Sequence, residues 1–263
     1  MLIHRVILAC LVLAWQVDVF SQVDNIPLSI GLGGGVDIVS NKDLAASPLN
    51  YSGVGLPVGL NGFKLSDRWI NHVEIQLILP VLTNNYSLSS KVNTQLLDWA
   101  KVSVKYQLLR NIEGKGVNFV GGEIESSFFY REYDFLDGYG WEFENSLNVS
   151  YARKIDLNDK SFILPQLSVP IIGYLNRKPS LTYDEEFLND FNREGPISTL
   201  RYGRWKIPFD QWLAFELNIL YHLNLSNRLN FQSRVGLNFY QISFPEKVQH
   251  INIPFRCYLN YQL

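Results

Sequence analysis

The sequence predicts an all-β fold, and its composition, its period-two alternation and the length of its alternating segments are the observations behind this prediction. Of the 263 residues, 47% are hydrophobic and 14% are aromatic, which indicates an ordered chain rich in strand-favouring residues. The formal net charge is −2, with Lys+Arg 23 against Asp+Glu 25. Because nucleic-acid binding needs a basic patch and the chain has no basic run, we expect no nucleic-acid partner.

Residues 1–22 are expected to be a secretory signal peptide. A basic start at Arg5 precedes an apolar run from Val6 to Trp15, which is the order of a signal sequence. This run is shorter than the ~20 apolar residues of a membrane-spanning helix. Residues 23–263 would then form one β-barrel domain. Cys257 would be its single cysteine, which excludes an internal disulfide.

Apolar and polar residues alternate strictly along 140–153, which is the period of a strand with two different faces. One face carries Trp141, Phe143, Leu147, Val149 and Tyr151, and the other carries Glu142, Glu144, Ser146, Asn148 and Ser150. The same alternation predicts ten strands, at 28–40, 51–60, 69–81, 97–110, 117–131, 140–153, 161–174, 211–225, 229–243 and 250–263. Most are longer than the ~9–11 residues that a tilted membrane-spanning strand needs, whereas globular strands average ~5–6. The lengths favour a closed antiparallel transmembrane β-barrel.

The connections alternate in length, as in membrane barrels that have short turns on one side and longer loops on the other. An even strand number places both chain ends on the short-turn side. The longer connections, expected on the outer side, are 41–50, 82–96, 132–139, 175–210 and 244–249. The connections expected on the inner side are 61–68, 111–116, 154–160 and 226–228.

Two segments leave the strand number open between eight and twelve. The predicted strand 51–60 carries Gly53, Gly55, Pro57 and Gly59 on one face, and glycine and proline weaken a sheet. If this segment is a loop, the even strand number of membrane barrels points to eight strands. If 198–207 forms an arm of an additional hairpin, there are twelve.

The long alternating strands, with Trp141 and Tyr151 at the two ends of one apolar face, resemble the small outer-membrane β-barrels of diderm bacteria, a porin-like class. In that class the barrel-insertion machinery recognises an alternating last strand that ends in an aromatic residue. Phe255, Leu259 and Tyr261 fit this pattern, although the chain ends in Leu263. The resemblance implies location in the outer membrane, contact with its lipid and a periplasmic short-turn side. It identifies no particular function.

A soluble exported barrel is the alternative to a membrane barrel. It would show the same alternation, but with the apolar face turned inward. Binding of an apolar ligand in that core would then be the expected function.

Polar positions of the predicted strands would face the lumen if the apolar face contacts lipid. Acids and bases on adjacent strands are close enough to pair. The predicted lumen charge network consists of Lys101, Lys105, Glu123, Glu125, Arg131, Glu142, Glu144, Glu216, Arg234 and Arg256. It forms either a salt-bridged plug, which the narrow interior of a small barrel favours, or a slim polar pore.

Histidine is the first residue to test for catalysis, because it titrates near neutral pH. His222 shares a face with Asn224 and Ser226, which resembles the His/Ser pair of outer-membrane phospholipases and lipid A deacylases. These residues lie beside a predicted periplasmic turn, whereas those enzymes act on the outer leaflet. Ser226 is therefore expected to be a turn residue, and His72 to be a hydrogen-bonded structural histidine.

A rim-active hydrolase acting on lipid or peptide is the alternative function. The ten-stranded omptin proteases use aspartate pairs and an Asp/His pair at the outer rim. In this sequence, Asp134 with Asp137, and His250 with Asp184 or Asp190, could supply such pairs. Calcium-loop and zinc-ligand spacings are missing from the sequence, so we expect neither a metal nor another cofactor.

The connection 175–210 is the longest and carries the most functional information. Tyr183, Phe187 and Phe191 fall at helical spacing, which predicts a short amphipathic helix over 184–192. An inward helix would constrict the lumen. In an outward position the loop could contact a partner protein or lipopolysaccharide phosphates through nearby bases such as Arg204. The sequence thus predicts a structural, binding or narrow-pore role.

Overall fold

The computed structural model describes residues 26–43, 50–84, 95–113, 116–133, 138–178, 193, 203–208, 212–243 and 248–263. The predicted signal peptide, the helix predicted over 184–192 and the predicted rim acids Asp134, Asp137, Asp184 and Asp190 lie outside these residues. Among the described residues, none of the helices has the length and apolarity needed to cross a bilayer.

Twelve strand segments build one antiparallel sheet. They are β1 (Ile26–Asp43), β2 (Asn50–Leu65), β3 (Trp69–Asn84), β4 (Gln95–Asn111), β5 (Asn118–Tyr133), β6 (Gly138–Arg153), β7 (Ile155–Asn158), β8 (Ser161–Lys178), β9 (Arg204–Lys206), β10 (Trp212–Asn224), β11 (Leu229–Ile242) and β12 (Val248–Gln262). The sheet runs β10-β11-β12-β1-β2-β3-β4-β5-β6-β8, and pairing of β10 with β8 closes it. The result is a closed ten-stranded barrel, which confirms the predicted fold.

The two short segments are parts of longer strands rather than additional ones. β7 continues β6 along one edge of β8. β9 and β10 both pair with the other edge of β8, through Gly173↔Lys206 and then Ser168↔Glu216. Between these two pairings, none of the described residues pairs with β8. We call this interrupted junction the β8–β10 seam. Of the segment 198–207, the described residues Arg204–Lys206 lie in line with β10 along β8, so they do not raise the strand number to twelve.

The four short connections lie at one end of the barrel, here called the short-turn end. Side-chain caps tighten them: Asn158 Oδ1 accepts a hydrogen bond from Lys160 N at 2.9 Å, and Ser226 Oγ accepts one from Leu229 N at 3.1 Å. The opposite end is called the long-loop end. Most strands extend beyond their predicted bounds, so the predicted connection 61–68 shortens to 66–68. β10 and β11 are instead slightly shorter than predicted. Likewise 175–178 belongs to β8 and not to the longest loop.

The outer surface is apolar and the interior is polar, as the alternation predicted for a membrane barrel. Leu32 is 64% exposed and Leu56 60%, whereas Asp37 and Asn260 on the lumen face are fully buried. The soluble alternative required the opposite arrangement. Among the aromatic residues, Trp69, Tyr106 and Tyr261 are exposed toward the short-turn end, and Trp205 is exposed toward the long-loop end.

Small residues line the lumen side of β1 and β2. Gly31, Gly33 and Gly35 of β1 lie opposite Asn260, Tyr258 and Arg256 of β12. A Cβ on Gly33 would come within 2.1 Å of the Cys257 carbonyl oxygen and 2.4 Å of Tyr258 Cδ1. On β2, the lumen positions are likewise occupied by small residues, Gly55, Pro57 and Gly59. The segment predicted to be the weakest strand is thus a full strand, and its small residues leave space for the side chains of β12 and β3.

Candidate functional site

Apolar side chains fill the lumen at the short-turn end. This cluster, which we call the apolar floor, consists of Ile26, Phe63, Leu65, Ile70, Leu109, Phe119, Ala152, Phe162, Leu164 and Leu220, each at most 2% exposed. Sequence reasoning missed it because apolar residues were assigned to the lipid face. Runs of consecutive apolar residues, such as 162–164 and 219–221, were the available signal, since they place apolar side chains on both faces.

Amide and histidine side chains cover the floor on its lumen side. His72 Nε2 lies 2.7 Å from Asn61 Oδ1, and Asn61 Nδ2 donates to Gln232 Oε1 at 2.6 Å and to Asn260 Oδ1 at 3.1 Å. His72 is only 1% exposed. These contacts agree with the structural role predicted for His72. Arg68, four residues earlier in the chain, is exposed in the turn 66–68.

His222 packs on the floor and has no catalytic arrangement among the described residues. Its ring stacks on Phe162 with centroids 4.8 Å apart. Its two nitrogens lie 3.0 Å from Asn224 Oδ1 and 3.2 Å from Gln232 Nε2. Ser226 caps its own turn, as predicted from the sequence. The pairing of His222 with Ser226 that a hydrolase would need is therefore not formed.

Glu74 is the centre of a buried charge cluster. Arg234 Nη1 donates to Glu74 Oε2 at 2.6 Å, and Arg256 Nη1 lies 3.7 Å from Glu74 Oε1. The Tyr258 hydroxyl donates to Glu74 Oε1 at 2.5 Å. Arg256 also contacts Asp37, whose Oδ2 lies 3.0 Å from Nη2. Buried ions need such paired and hydrogen-bonded surroundings to offset the loss of hydration.

Lys105 forms a second cluster with three glutamates. Its Nζ lies 3.7 Å from Glu123 Oε1 and 3.7 Å from Glu125 Oε2, and it donates a hydrogen bond to Glu216 Oε2. Glu123 also accepts hydrogen bonds from Gln107 at 3.0 Å and from Asn148 at 2.8 Å. The oxygens of the three glutamates come within 4.8 Å of one another. This is the spacing of a metal site, but the Lys105 ammonium already supplies the cation.

Side chains of the predicted charge network meet both along adjacent strands and across the lumen. Lys105 and Glu125 are direct neighbours on β4 and β5, as expected. Arg234 instead lies opposite Arg256 in the pairing of β11 with β12. Arg234 therefore pairs with Glu74 of β3, whereas Arg256 has Asp37 of β1 as its nearer acid. The charged side chains at this level, such as Glu74, Lys105 and Arg234, are buried, and the choice between a salt-bridged plug and a polar pore stays a prediction.

Three residues show where the predicted lumen charge network was incomplete or does not form ion pairs in the described residues. Asp37 was missed, although its position between the lipid-facing Val36 and Ile38 carried the alternation signal. The side chain of Arg131 lies outside the described residues. Lys101 lines a pocket toward the long-loop end and, in the described part of the chain, is not within ion-pair distance of an acid.

That pocket, which we call the vestibule, lies between the Lys105 cluster and the long-loop end. The space not occupied by protein in it and at its open mouth amounts to about 550 Å³. Glu144 lines it, and the neighbouring Glu142 accepts a hydrogen bond from the Tyr240 hydroxyl at 2.5 Å. His250 stacks on Tyr240 with ring centroids 5.3 Å apart. The acids predicted to pair with His250 at the rim lie outside the described residues.

One wall of the vestibule is apolar. Trp212 is 4% exposed and packs in a cluster with Leu175, Ile242 and Val248. Gly173 permits this position, because a Cβ there would come within 2.5 Å of the indole. A blind pocket that combines acids, amides and an apolar wall is suited to binding rather than to passage of ions.

A closed antiparallel barrel with an apolar outer belt and a polar, filled lumen is the fold of bacterial outer-membrane β-barrels. The outer-membrane protease OmpT from Escherichia coli is similar, with a TM-score of 0.51 and 8% identity over 94% of this chain and 99% of that chain. The translocator domain of the autotransporter NalP from Neisseria meningitidis matches with a TM-score of 0.46 and 8% identity, over 100% of this chain and 95% of that chain. No protein-family model matches the chain. No curated protein matches it either.

Proposed function

We propose that this protein is an outer-membrane β-barrel with a non-conducting lumen, which binds a ligand in its vestibule. The apolar floor is the observation that carries the proposal. A hydrated ion would have to cross a layer of fully buried Phe, Leu and Ile side chains, and the cost of dehydration is several kcal/mol or more. The lumen is therefore accessible from the long-loop end and closed at the other.

The outer surface supports the membrane part of the proposal. Apolar side chains form a continuous belt around the barrel, and exposed aromatic residues such as Trp69 and Trp205 lie toward its two ends. Aromatic girdles of this kind border the apolar band of outer-membrane barrels. Export by the predicted signal peptide and a periplasmic short-turn end complete the topology that we propose.

The proposed partners follow from the same surfaces. Phe255, Leu259 and Tyr261 of β12 are exposed on the lipid side, at 51%, 54% and 45%. We propose that the barrel-insertion machinery recognises this strand and that outer-membrane lipid surrounds it afterwards. Contact of the longest loop with a protein or with lipopolysaccharide is part of the proposal and rests on the basic residues of that loop.

Conductance in planar lipid bilayers tests the closed lumen. Purified protein whose folded barrel shows a heat-dependent gel mobility should insert without producing steady single-channel currents. The double variant Phe63→Ala/Phe162→Ala, which thins the floor, should raise the frequency of current bursts. Phe128→Ala on the outer surface is the matched control and should stay silent. Steady channels from the unaltered protein would overturn the closed lumen.

Cell fractionation tests the location. The protein should be recovered with the outer membrane and should resist extraction at high pH. Recovery in the soluble periplasmic fraction would refute the membrane assignment.

A further inference from the structure

Acidic side chains outnumber basic ones in the vestibule. Glu125, Glu144 and Glu216 line it together with a single base, Lys101. Glu125 and Glu216 already contact Lys105. Glu144, in contrast, has neither a hydrogen bond nor an ion pair within the described ranges. Among the described residues, the vestibule thus presents a carboxylate that is not in direct contact with a cation.

Unsatisfied acceptors line the same pocket. The side-chain oxygens Oδ1 of Asn148, Asn238 and Asn252 are buried and lack a hydrogen-bond donor among the described residues. Asn148 and Asn252 are each only 6% exposed. Their amide nitrogens are already used, by Glu123 and Asp37. Because a buried acceptor without a donor is costly, these oxygens indicate a ligand that brings several N–H groups.

The spacing of the acids favours an extended organic cation over a metal ion. The one compact group of carboxylates found in the described part of the chain is Glu123, Glu125 and Glu216, and Lys105 occupies it. Glu144 does not belong to that group. A single metal ion could not reach the carboxylates and the amide oxygens together, whereas ammonium groups separated by methylene chains could.

The apolar wall fits the carbon chain of such a ligand. Trp212, Leu175 and Ile242 pack together beside Glu144. Methylene groups gain free energy from burial against apolar surface, and an ammonium group is attracted to an aromatic face. The negative charge, the unsatisfied hydrogen-bond acceptors and the apolar wall therefore all fit a ligand with ammonium groups on a carbon chain.

We propose that the vestibule binds an alkylammonium cation that carries more than one amino group, such as a linear polyamine. Glu144 pairs with one ammonium group, and the Asn148, Asn238 and Asn252 oxygens accept hydrogen bonds from another. This inference deepens the proposed binding function and depends on it, since the vestibule must be open to solvent at the long-loop end.

Isothermal titration calorimetry with spermidine, on the full barrel in detergent micelles, tests the inference. We expect saturable binding that weakens by tenfold or more in Glu144→Gln, because hydrogen bonds to charged groups are the strong ones. Asn238→Leu should weaken it several-fold. Glu113→Gln removes the same charge from an exposed turn at the short-turn end and should leave the affinity unchanged. Heat-dependent gel mobility shows that each variant is folded.

Three results would overturn the inference. One is the lack of saturable spermidine binding, and another is binding that Glu144→Gln and Asn238→Leu leave unchanged. The third is Ca²⁺ binding that depends on Glu144 and displaces spermidine, which would identify a metal site. Conductance separates this inference from the proposed function, because a silent barrel that ignores spermidine refutes only the ligand class. A conducting barrel that binds spermidine refutes only the closed lumen.

Discussion

The Tyr258 hydroxyl on β12 donates a hydrogen bond to Glu74 Oε1 on β3 at 2.5 Å, across the two intervening strands β1 and β2. The same hydroxyl accepts a hydrogen bond from Gln76 Nε2 at 3.1 Å. The glycine and proline residues on the lumen sides of β1 and β2 leave the space that this contact crosses.

Tyr258→Phe should lower the free energy of unfolding by about 1.5–3 kcal/mol, because Glu74 loses a buried donor. Urea unfolding in detergent micelles, followed by circular dichroism, measures this change. Tyr261→Phe is the matched control on the same strand, since its exposed hydroxyl contacts only Arg228 among the described residues, at 3.3 Å. Equal losses in the two variants would contradict the importance of the Glu74 contact.

Lys105→Met should lower the free energy of unfolding by about 3–5 kcal/mol, because it leaves three neighbouring carboxylates without their shared cation. Ca²⁺ should restore part of the loss, since the three carboxylates come within 4.8 Å of one another. Denaturant unfolding with and without Ca²⁺ measures both effects. Lys160→Met, in an exposed turn, should change little. An unaltered stability in Lys105→Met would show that the cluster contributes nothing.

Val149→Arg and Leu217→Arg should each lower stability by about 2–4 kcal/mol, because arginine on the lipid face would enter hydrocarbon. Refolding into lipid vesicles gives the measurement. Leu157→Arg is the control, since Leu157 is 54% exposed but lies beside a short turn, near the edge of the apolar belt. If all three variants insert like the parent, the assignment of the lipid face is wrong.

Gly33→Ala should lower stability by about 1–3 kcal/mol, because the added methyl group has no free space beside β12. Gly122→Ala is the control, because its Cβ would lie at an ordinary contact distance of 3.9 Å from the Asn148 carbonyl oxygen. Thermal unfolding of the two variants in the same detergent provides the comparison. A neutral Gly33→Ala would mean that the two strands separate easily.

Amide hydrogen exchange should be fastest, among the long strand pairs, at the β8–β10 seam. Paired residues there run from Glu216↔Ser168 to Leu223↔Ser161, whereas β1 and β12 pair from Ser29↔Gln262 to Asp43↔Val248. Fewer hydrogen bonds hold a strand pair less firmly against local opening. Mass spectrometry of exchanged peptides resolves the two regions. Faster exchange at the β1–β12 pair would contradict this order.

Alternation was sufficient to predict the strands and their faces because a strand with one face in lipid and the other in a polar lumen must alternate. It predicted the lumen position of Lys105 and Glu216 for the same reason. It could not predict that they touch, because contacts across the lumen depend on the stagger of strands that are far apart in sequence. Arg234 illustrates this limit: its neighbour in the sheet is Arg256, and its acid comes from the opposite wall.

The apolar floor escaped prediction for a different reason. Phe63 and Phe162 occupy lumen positions, and a rule that sends every apolar residue to lipid misplaces them. Their neighbours Leu65 and Leu164 repeat the departure on the same strands. Apolar residues at lumen positions interrupt the alternation. Where such interruptions occur beside the short turns of several strands, they indicate that this end of the barrel is closed.

The glycines of β1 also restrict how the cylinder can close. Gly31, Gly33 and Gly35 match Asn260, Tyr258 and Arg256 in one alignment of the first strand with the last. Sliding β12 by two residues would set either Ser29 against Asn260 or Asp37 against Arg256, where a Cβ has no space. The shear number of a barrel fixes its tilt and its radius. By fixing the register of β1 with β12, the three glycines thus help to determine the diameter of the barrel.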